Sequence, residues 1–305
     1  MSSFCEDRVV IVTGAARGLG REYALMLAAH GAKVIVNDLG GARDGTGVDL
    51  TPAEEVVAKI KAAGGEAVVN GADVSDFNAA QAMIRQAIDT YGRLDVLLNN
   101  AGILRDRMLV NMTEEELDAV VKVHLKGTFA PSKHAAAYWR EQSKAGQPVD
   151  ARLINTTSVS GIYGNVGQTN SGAAKMGTAA FTIIAARELG RYGITVNAIA
   201  PAALTRLTED LSPEPLTEEQ KKERDPRWVA PLATWLASTE SKGVTGRIFE
   251  GAGGMYAVAE GWHRGPTCEP IEDPTKLGPV LRDIVKRARK NAGMNGQDLD
   301  GGLDE

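Results

Sequence analysis

The stretch Val9-Val10-Ile11-Val12-Thr13-Gly14-Ala15-Ala16-Arg17-Gly18-Leu19-Gly20 joins three kinds of local structure in one run. Four β-branched residues in succession read as a strand buried on both faces, because a half-solvated strand alternates apolar with polar residues. The glycines make a tight turn, and the helical period at Leu19, Tyr23, Met26 and Leu27 opens a helix. A phosphate needs backbone to approach closely and N–H groups to point at it, which glycines before a helix N-terminus supply. In isolation the run also fits a plain glycine-rich connection, so the following strands decide.

Further short runs rich in valine, isoleucine or leucine occur at 34–36, 67–69, 94–98, 153–154, 194–199 and 248–249. Between them lie stretches of helical period, including 77–91 and 114–139. Strand and helix alternate from residue 9 to about 255 without a break in composition, which predicts one α/β domain. Its core is a single doubly wound parallel sheet of Rossmann type with helices on both faces. Ligands of such sheets bind beyond the carboxyl ends of the strands, and those ends carry polar signals here. The second strand ends at Asn37-Asp38, with Asp38 18 residues past Gly20, where a dinucleotide fold places an acid on the adenosine ribose. The third ends in Asp73-Val74 and the fourth in Asn99-Asn100-Ala101-Gly102. Asp38 also fits a turn or cap residue at a strand end. As a ribose acceptor its carboxylate repels a 2′-phosphate and selects NAD over NADP.

Two segments break the rhythm. Residues 202–226, rich in proline and charge, exceed an ordinary connection and suggest a lid or short helices over a site. Residues 265–305 form a tail set apart from the 1–264 domain; in it Leu277, Val280, Leu281, Ile284 and Val285 make an amphipathic helix with basic residues on its other faces. That helix is expected to dock on the body or on a neighbouring subunit. A membrane surface is the alternative, weakened by the absence of aromatic anchors.

A net charge of −5 is the wrong sign for a phosphate backbone, so no nucleic-acid partner is expected. No apolar run approaches the ~18 residues of a membrane span, and neither an export signal nor an anchor is expected. Two cysteines, Cys5 and Cys268, make no disulfide framework and no metal cluster, which points to a reducing, cytoplasmic setting and to no bound metal.

Taken together, Gly14-x3-Gly18-x-Gly20, Asp73, Asn99 to Gly102, Ser158, Lys175 and Pro201 resemble the short-chain dehydrogenase/reductase family, over about residues 6–255. Within it, Asn37 to Gly41 with the insertion that follows, His124 to Phe129 and Ser160 to Asn165 are similar to the (R)-3-hydroxyacyl-CoA dehydrogenase unit of peroxisomal multifunctional enzymes type 2. That unit is also called 17β-hydroxysteroid dehydrogenase type 4. Residues 259–266 look more like stand-alone actinobacterial relatives. The resemblance implies an NAD cofactor held by Gly14, Arg17, Gly18, Leu19, Gly20, Asp38, Asp73, Val74, Asn100, Ala101, Gly102, Lys175, Pro201, Leu204 and Thr205. It also implies an acyl-CoA or steroid-like substrate and a homodimer or homotetramer paired through the small-residue helices around 114–139 and 172–190.

In this family a serine polarises the substrate oxygen, a tyrosine exchanges its proton, and a lysine four residues on lowers the tyrosine pKa. Ser158 and Lys175 match the serine and the lysine, but the tyrosine position holds Ser171. A serine hydroxyl is a far weaker acid and lacks the reach of a phenyl ring. A water between Ser171 and Lys175 would carry a proton poorly, and Tyr163, close behind Ser158, belongs to the branch's ordinary pattern. His124 takes the place of the family's usual asparagine. Bland readings stand beside these: Ser158 as a helix cap, Lys175 as a solvated lysine, His124 as a satisfied core histidine, Arg17 as a surface charge, and Pro201 to Thr205 as a bend into the lid. His30, His134 and His263 carry no signal beyond structure. The sequence thus predicts a weakened NAD-dependent oxidoreductase, with an NAD-binding protein without turnover, either regulatory subunit or inactivated variant, as the alternative.

Overall fold

A computed structural model describes residues 4–42, 44–205 and 216–299. The strands are β1 (Val9–Thr13), β2 (Lys33–Asn37), β3 (Glu66–Asn70), β4 (Val96–Asn99), β5 (Ala151–Thr156), β6 (Ile194–Pro201), β7 (Ile248–Ala252) and β8 (Met255–Val258). They form one sheet in the order β3-β2-β1-β4-β5-β6-β7-β8. The first seven pair in parallel and β8 runs antiparallel to β7. The doubly wound parallel sheet is as the sequence predicts, and β8 adds an antiparallel edge strand, because Gly253-Gly254 allows a hairpin return too short for a helical crossover.

The helices are α1 (Gly18–Ala29), α2 (Thr51–Ala62), α3 (Phe77–Tyr91), α4 (Glu114–Val121), α5 (Gly127–Lys144), α6 (Val159–Tyr163), α7 (Thr169–Leu189), α8 (Glu218–Glu223), α9 (Ala230–Ala237) and α10 (Leu277–Arg287). They cover both faces of the sheet, and successive residues of β1 feed the two cores. Val10 and Val12 pack with Tyr23 and Leu27 of α1, Val56 and Ile60 of α2 and Leu236 of α9. Val9 and Ile11 pack on the other side with Met83 of α3, Trp139 of α5 and Ala186 of α7. Trp139 also donates its indole N–H to the Leu94 carbonyl at 2.7 Å, so truncating it would cost about 3–5 kcal/mol.

Residues 114–139 are not one continuous α-helix. Gly127 N–H reaches back five residues to the Lys122 carbonyl, a π turn over Lys122–Lys126 that separates α4 from α5. The widened turn carries His124 inward. The 202–226 segment is described only in part: residues 206–215 lie outside the described residues, Leu204 N–H donates to the Arg224 carbonyl at 2.6 Å, and α8 follows a Thr217/Gln220 capping box.

The tail helix forms as α10, but none of its side chains is buried and Leu281 and Val285 are half-exposed. Leu277, Val280 and Ile284 of its apolar stripe are partly covered, while Leu281 and Val285 stay open along the same stripe. Cys5 is buried, Cys268 is exposed and both are free. Among the described residues no helix is long and apolar enough to cross a membrane, and no cluster of metal-ligating side chains occurs.

Candidate active site

One cavity of about 700 Å³ runs along the carboxyl ends of β1, β2, β4, β5 and β6. The glycine turn and Asp38 lie toward β2, and Ser158, Ser171 and Lys175 lie toward β5. Every site residue named from sequence borders it except Gly20. Gly20 sits behind the turn, where a Cβ would come within 2.1 Å of the Gly14 carbonyl oxygen, so it shapes the cradle and does not touch the cavity. Gly14 lies at φ +64°, and a Cβ there would meet the Ala101 Cα at 2.8 Å.

The turn is held from three sides. Ala15 N–H donates to the Asn37 carbonyl and Ala16 N–H to the Asp38 carboxylate, at 2.9 and 2.8 Å. The Asn100 amide donates to the carbonyls of Thr13 and Gly14 at 3.0 and 3.1 Å, and Thr13 Oγ1 accepts from Asn100 and Ala101 N–H. Asn100 therefore fastens β4 to the turn. α1 begins just beyond with no side-chain cap and no acidic residue in its first turn, leaving its N–H groups and the Arg17 side chain toward the cavity. This cradle suits a pyrophosphate, since the α1 N-terminus is uncapped and free of acidic side chains and Gly14 lets the turn press against Ala101. Asp38 accepts a second N–H from Gly40 at 2.7 Å; two donors leave a carboxylate with lone pairs free for ribose hydroxyls. Asp73 accepts from Ser75 N–H and Oγ, which fixes the loop that carries Val74 to the cavity wall.

At the other end Lys175 projects from α7, buried but bordering the cavity, and donates to the Thr156 carbonyl at 2.7 Å. Burial pushes its pKa down to about 8. Thr157 Oγ1 donates to the Lys175 carbonyl at 2.6 Å and locks this stretch of α7 against the end of β5. Ser158 is both things the sequence allows: it caps α6, accepting Ser160 N–H at 3.1 Å, and it borders the cavity. Accepting that bond leaves its own hydroxyl hydrogen free to donate. Ser171 stands one helical turn before Lys175, buried, with no ring to occupy the space before it.

His124 is buried with Nε2 against Ile103, 3.0 Å from its N–H and 2.8 Å from its carbonyl; Nδ1 has no partner among the described residues. Burial, and then the charge of Lys175, hold it well below the usual histidine range, so it is neutral near pH 7. His134 bonds the Phe77 carbonyl at 3.0 Å. Tyr163 donates its phenol to the Glu250 carboxylate and does not border the cavity. Burial and then Glu250 push its pKa up to about 12, so it does not replace the missing tyrosine.

Sequence reasoning missed two features. Asn99 Nδ2 bonds Ser132 and Asn155, and Asn155 bonds Thr182, a buried polar ladder with no motif to announce it. Met294, from the tail, also borders the cavity. Asn295-Gly296 signals the hairpin turn that carries it, but not its place at the cavity.

The family model for short chain dehydrogenases matches residues 8–215. The chain is 42% identical to a hydroxyacyl-CoA dehydrogenase of Mycobacterium tuberculosis, over 96% of this chain and 93% of that one. It is 42% identical to mouse peroxisomal multifunctional enzyme type 2, over 84% of this chain but 32% of that enzyme. A short chain dehydrogenase from Mycobacterium avium superposes with a TM-score of 0.86 at 49% identity, covering 95% of this chain and 98% of that one.

Proposed function

The chain belongs to the short-chain dehydrogenase family, and we propose that within it the protein is an NAD-dependent oxidoreductase of a secondary alcohol or ketone carried on a 3-hydroxyacyl-CoA thioester. The observation that carries this reading is the opening of Asp38, Ser158 and Lys175 onto one cavity with the glycine cradle. The hydroxyacyl-CoA substrate is supported by the likeness to the Mycobacterium tuberculosis hydroxyacyl-CoA dehydrogenase, 42% identical to this chain.

NAD supplies a hydride acceptor when bound. The glycine turn and the α1 N-terminus would hold its pyrophosphate, Asp38 its adenosine ribose, and Lys175 its nicotinamide ribose, since one N–H of Lys175 is taken by Thr156 and two remain. Ser158 donates its free hydroxyl hydrogen to the substrate oxygen and orients it. Proton exchange with that oxygen then falls to Ser171 or to water beside Lys175, and neither is a matched acid–base at neutral pH. A positioned general acid or base contributes about 10²–10⁴-fold, so turnover is weakened by that order.

Ser171 favours a second reading, an NAD-binding protein without turnover that serves as a regulatory subunit or is an inactivated variant. Cofactor titration by calorimetry beside an absorbance assay with NAD and 3-hydroxyacyl-CoA separates the two, because the second binds and does not react. We further propose a homo-oligomer in a reducing, cytoplasmic compartment. Phe129 on α5 and Ile184 on α7 are half-exposed apolar residues on the helices that would pair, and both cysteines are unpaired. Light scattering on a sizing column tests the pairing, and a monomer at micromolar concentration contradicts it.

A further inference from the structure

The tail returns to the body past α10 as a small hairpin. Ala292 and Asp298 form an antiparallel bridge, Gly293 N–H donates to the Gln297 carbonyl at 2.9 Å, and Leu299 N–H donates to the Asn291 carbonyl at 2.9 Å. Gly296 makes the turn at φ +74° and lies flat on Tyr163, where a Cβ would meet the phenol oxygen at 3.4 Å. Tyr163 is itself pinned to Glu250 of β7, which is buried. Among the described residues of the tail, the hairpin tip thus packs on Tyr163, whereas α10 fully buries none of its residues.

The position of this tip along the sheet says which part of the cavity it borders. Asp38 follows β2, while the Tyr163–Glu250 anchor sits over β7, five strand steps away in the sheet order. At about 4.8 Å per step that is roughly 24 Å. Met294, two residues before Gly296, therefore borders the cavity toward the Ser158 and Ser171 end, away from Asp38. Its side chain is apolar, unbranched and 40% exposed, so it reaches in from the rim. A flexible thioether suits an apolar surface of variable shape better than a fixed polar contact does.

We propose that the hairpin is the outer wall of the substrate cleft and that Met294 is a specificity-determining residue that packs on the apolar acyl portion of the substrate. This rests on the acyl-CoA reading above. The acyl chain would leave the reacting carbon beside Ser158 and pass under Met294, so longer chains gain contact that short ones do not reach.

The test is calorimetric titration of the full-length protein, saturated with NADH, with butanoyl-CoA and with dodecanoyl-CoA, for the parent, Met294→Asp and Met294→Leu. Because it reads binding, the Ser171 defect does not obscure it. A carboxylate placed against an apolar chain should weaken dodecanoyl-CoA by about tenfold or more. Butanoyl-CoA should stay within about twofold, Met294→Leu should behave as the parent with both ligands, and NADH affinity should not move. If Met294→Asp leaves dodecanoyl-CoA unchanged, or weakens both thioesters equally, the wall assignment is overturned and the acyl-CoA reading stands. If the parent binds neither thioester, both fall together.

Discussion

Asp38 accepts the Ala16 backbone N–H at 2.8 Å, so the carboxylate that follows β2 also fastens the glycine turn that leaves β1. A 2′-phosphate on the ribose would stand against a carboxylate that cannot swing away without releasing both Ala16 and Gly40. NADH should therefore bind tighter than NADPH by more than about 1.4 kcal/mol, or tenfold. Calorimetry with the two nucleotides checks this, and equal or tighter NADPH binding contradicts it. Asp38→Ser should lose the preference and also weaken NADH, because the turn loses its fastener.

Gly20→Ala probes the cradle from behind. The added methyl would sit 2.1 Å from the Gly14 oxygen and 2.6 Å from the Asn100 amide, so the turn must move. Overpacking of this kind costs about 1–3 kcal/mol, with a lower melting temperature and NADH affinity reduced at least about tenfold. Gly190→Ala is the control: nothing lies within 4 Å of its Cβ position and its backbone is helical, so it should be neutral or slightly stabilising.

Burial of Lys175 makes a pH-dependent stability term. Its pKa falls from 10.5 to about 8 on folding, so between those values the unfolded chain binds the proton that the folded one has lost. Stability should rise with pH across that window, by a total of about 3 kcal/mol on the linkage relation. Below pH 8 the burial penalty is fully present. Urea unfolding at pH 7.5 and 9.5, for the parent and Lys175→Met, isolates the contribution; identical slopes for the two proteins would rule it out.

Legibility followed burial. The run Val9 to Val12 reads as a strand because both faces are covered, and α3 runs from Phe77 to Tyr91 as its period indicates, with Asp76 accepting Ala79 N–H at one end and left-handed Gly92 at the other. β8 escaped because an edge strand of four residues, mostly exposed, has no apolar run to announce it. The π turn at His124 escaped because helical period does not distinguish a bond to the fourth preceding residue from one to the fifth. In the site, strand-end residues such as Asp38 and Asp73 were readable from chain order alone. Met294 was not, since its place depends on how the tail returns to Tyr163, a tertiary contact with no local period.

Ser171 borders the cavity, and the other residues along it do not depend on the missing tyrosine ring: Lys175 is held by Thr156, Ser158 by Ser160 and, at the far end, Asp38 by Ala16 and Gly40. Ser171→Tyr should thus raise turnover of 3-hydroxyacyl-CoA by about 10²–10⁴-fold, the contribution of a positioned general acid or base. NADH affinity should change little. A tyrosine there would have the Lys175 charge one helical turn away, which favours phenolate and lowers its pKa. Oxidation by the variant should therefore lose activity as pH falls through that lowered value, an acid limb the parent lacks. Steady-state rates and pH profiles of both proteins decide it. If the parent already matches the variant on its best substrate, another group carries the proton and the catalytic assignment of this end of the cavity fails.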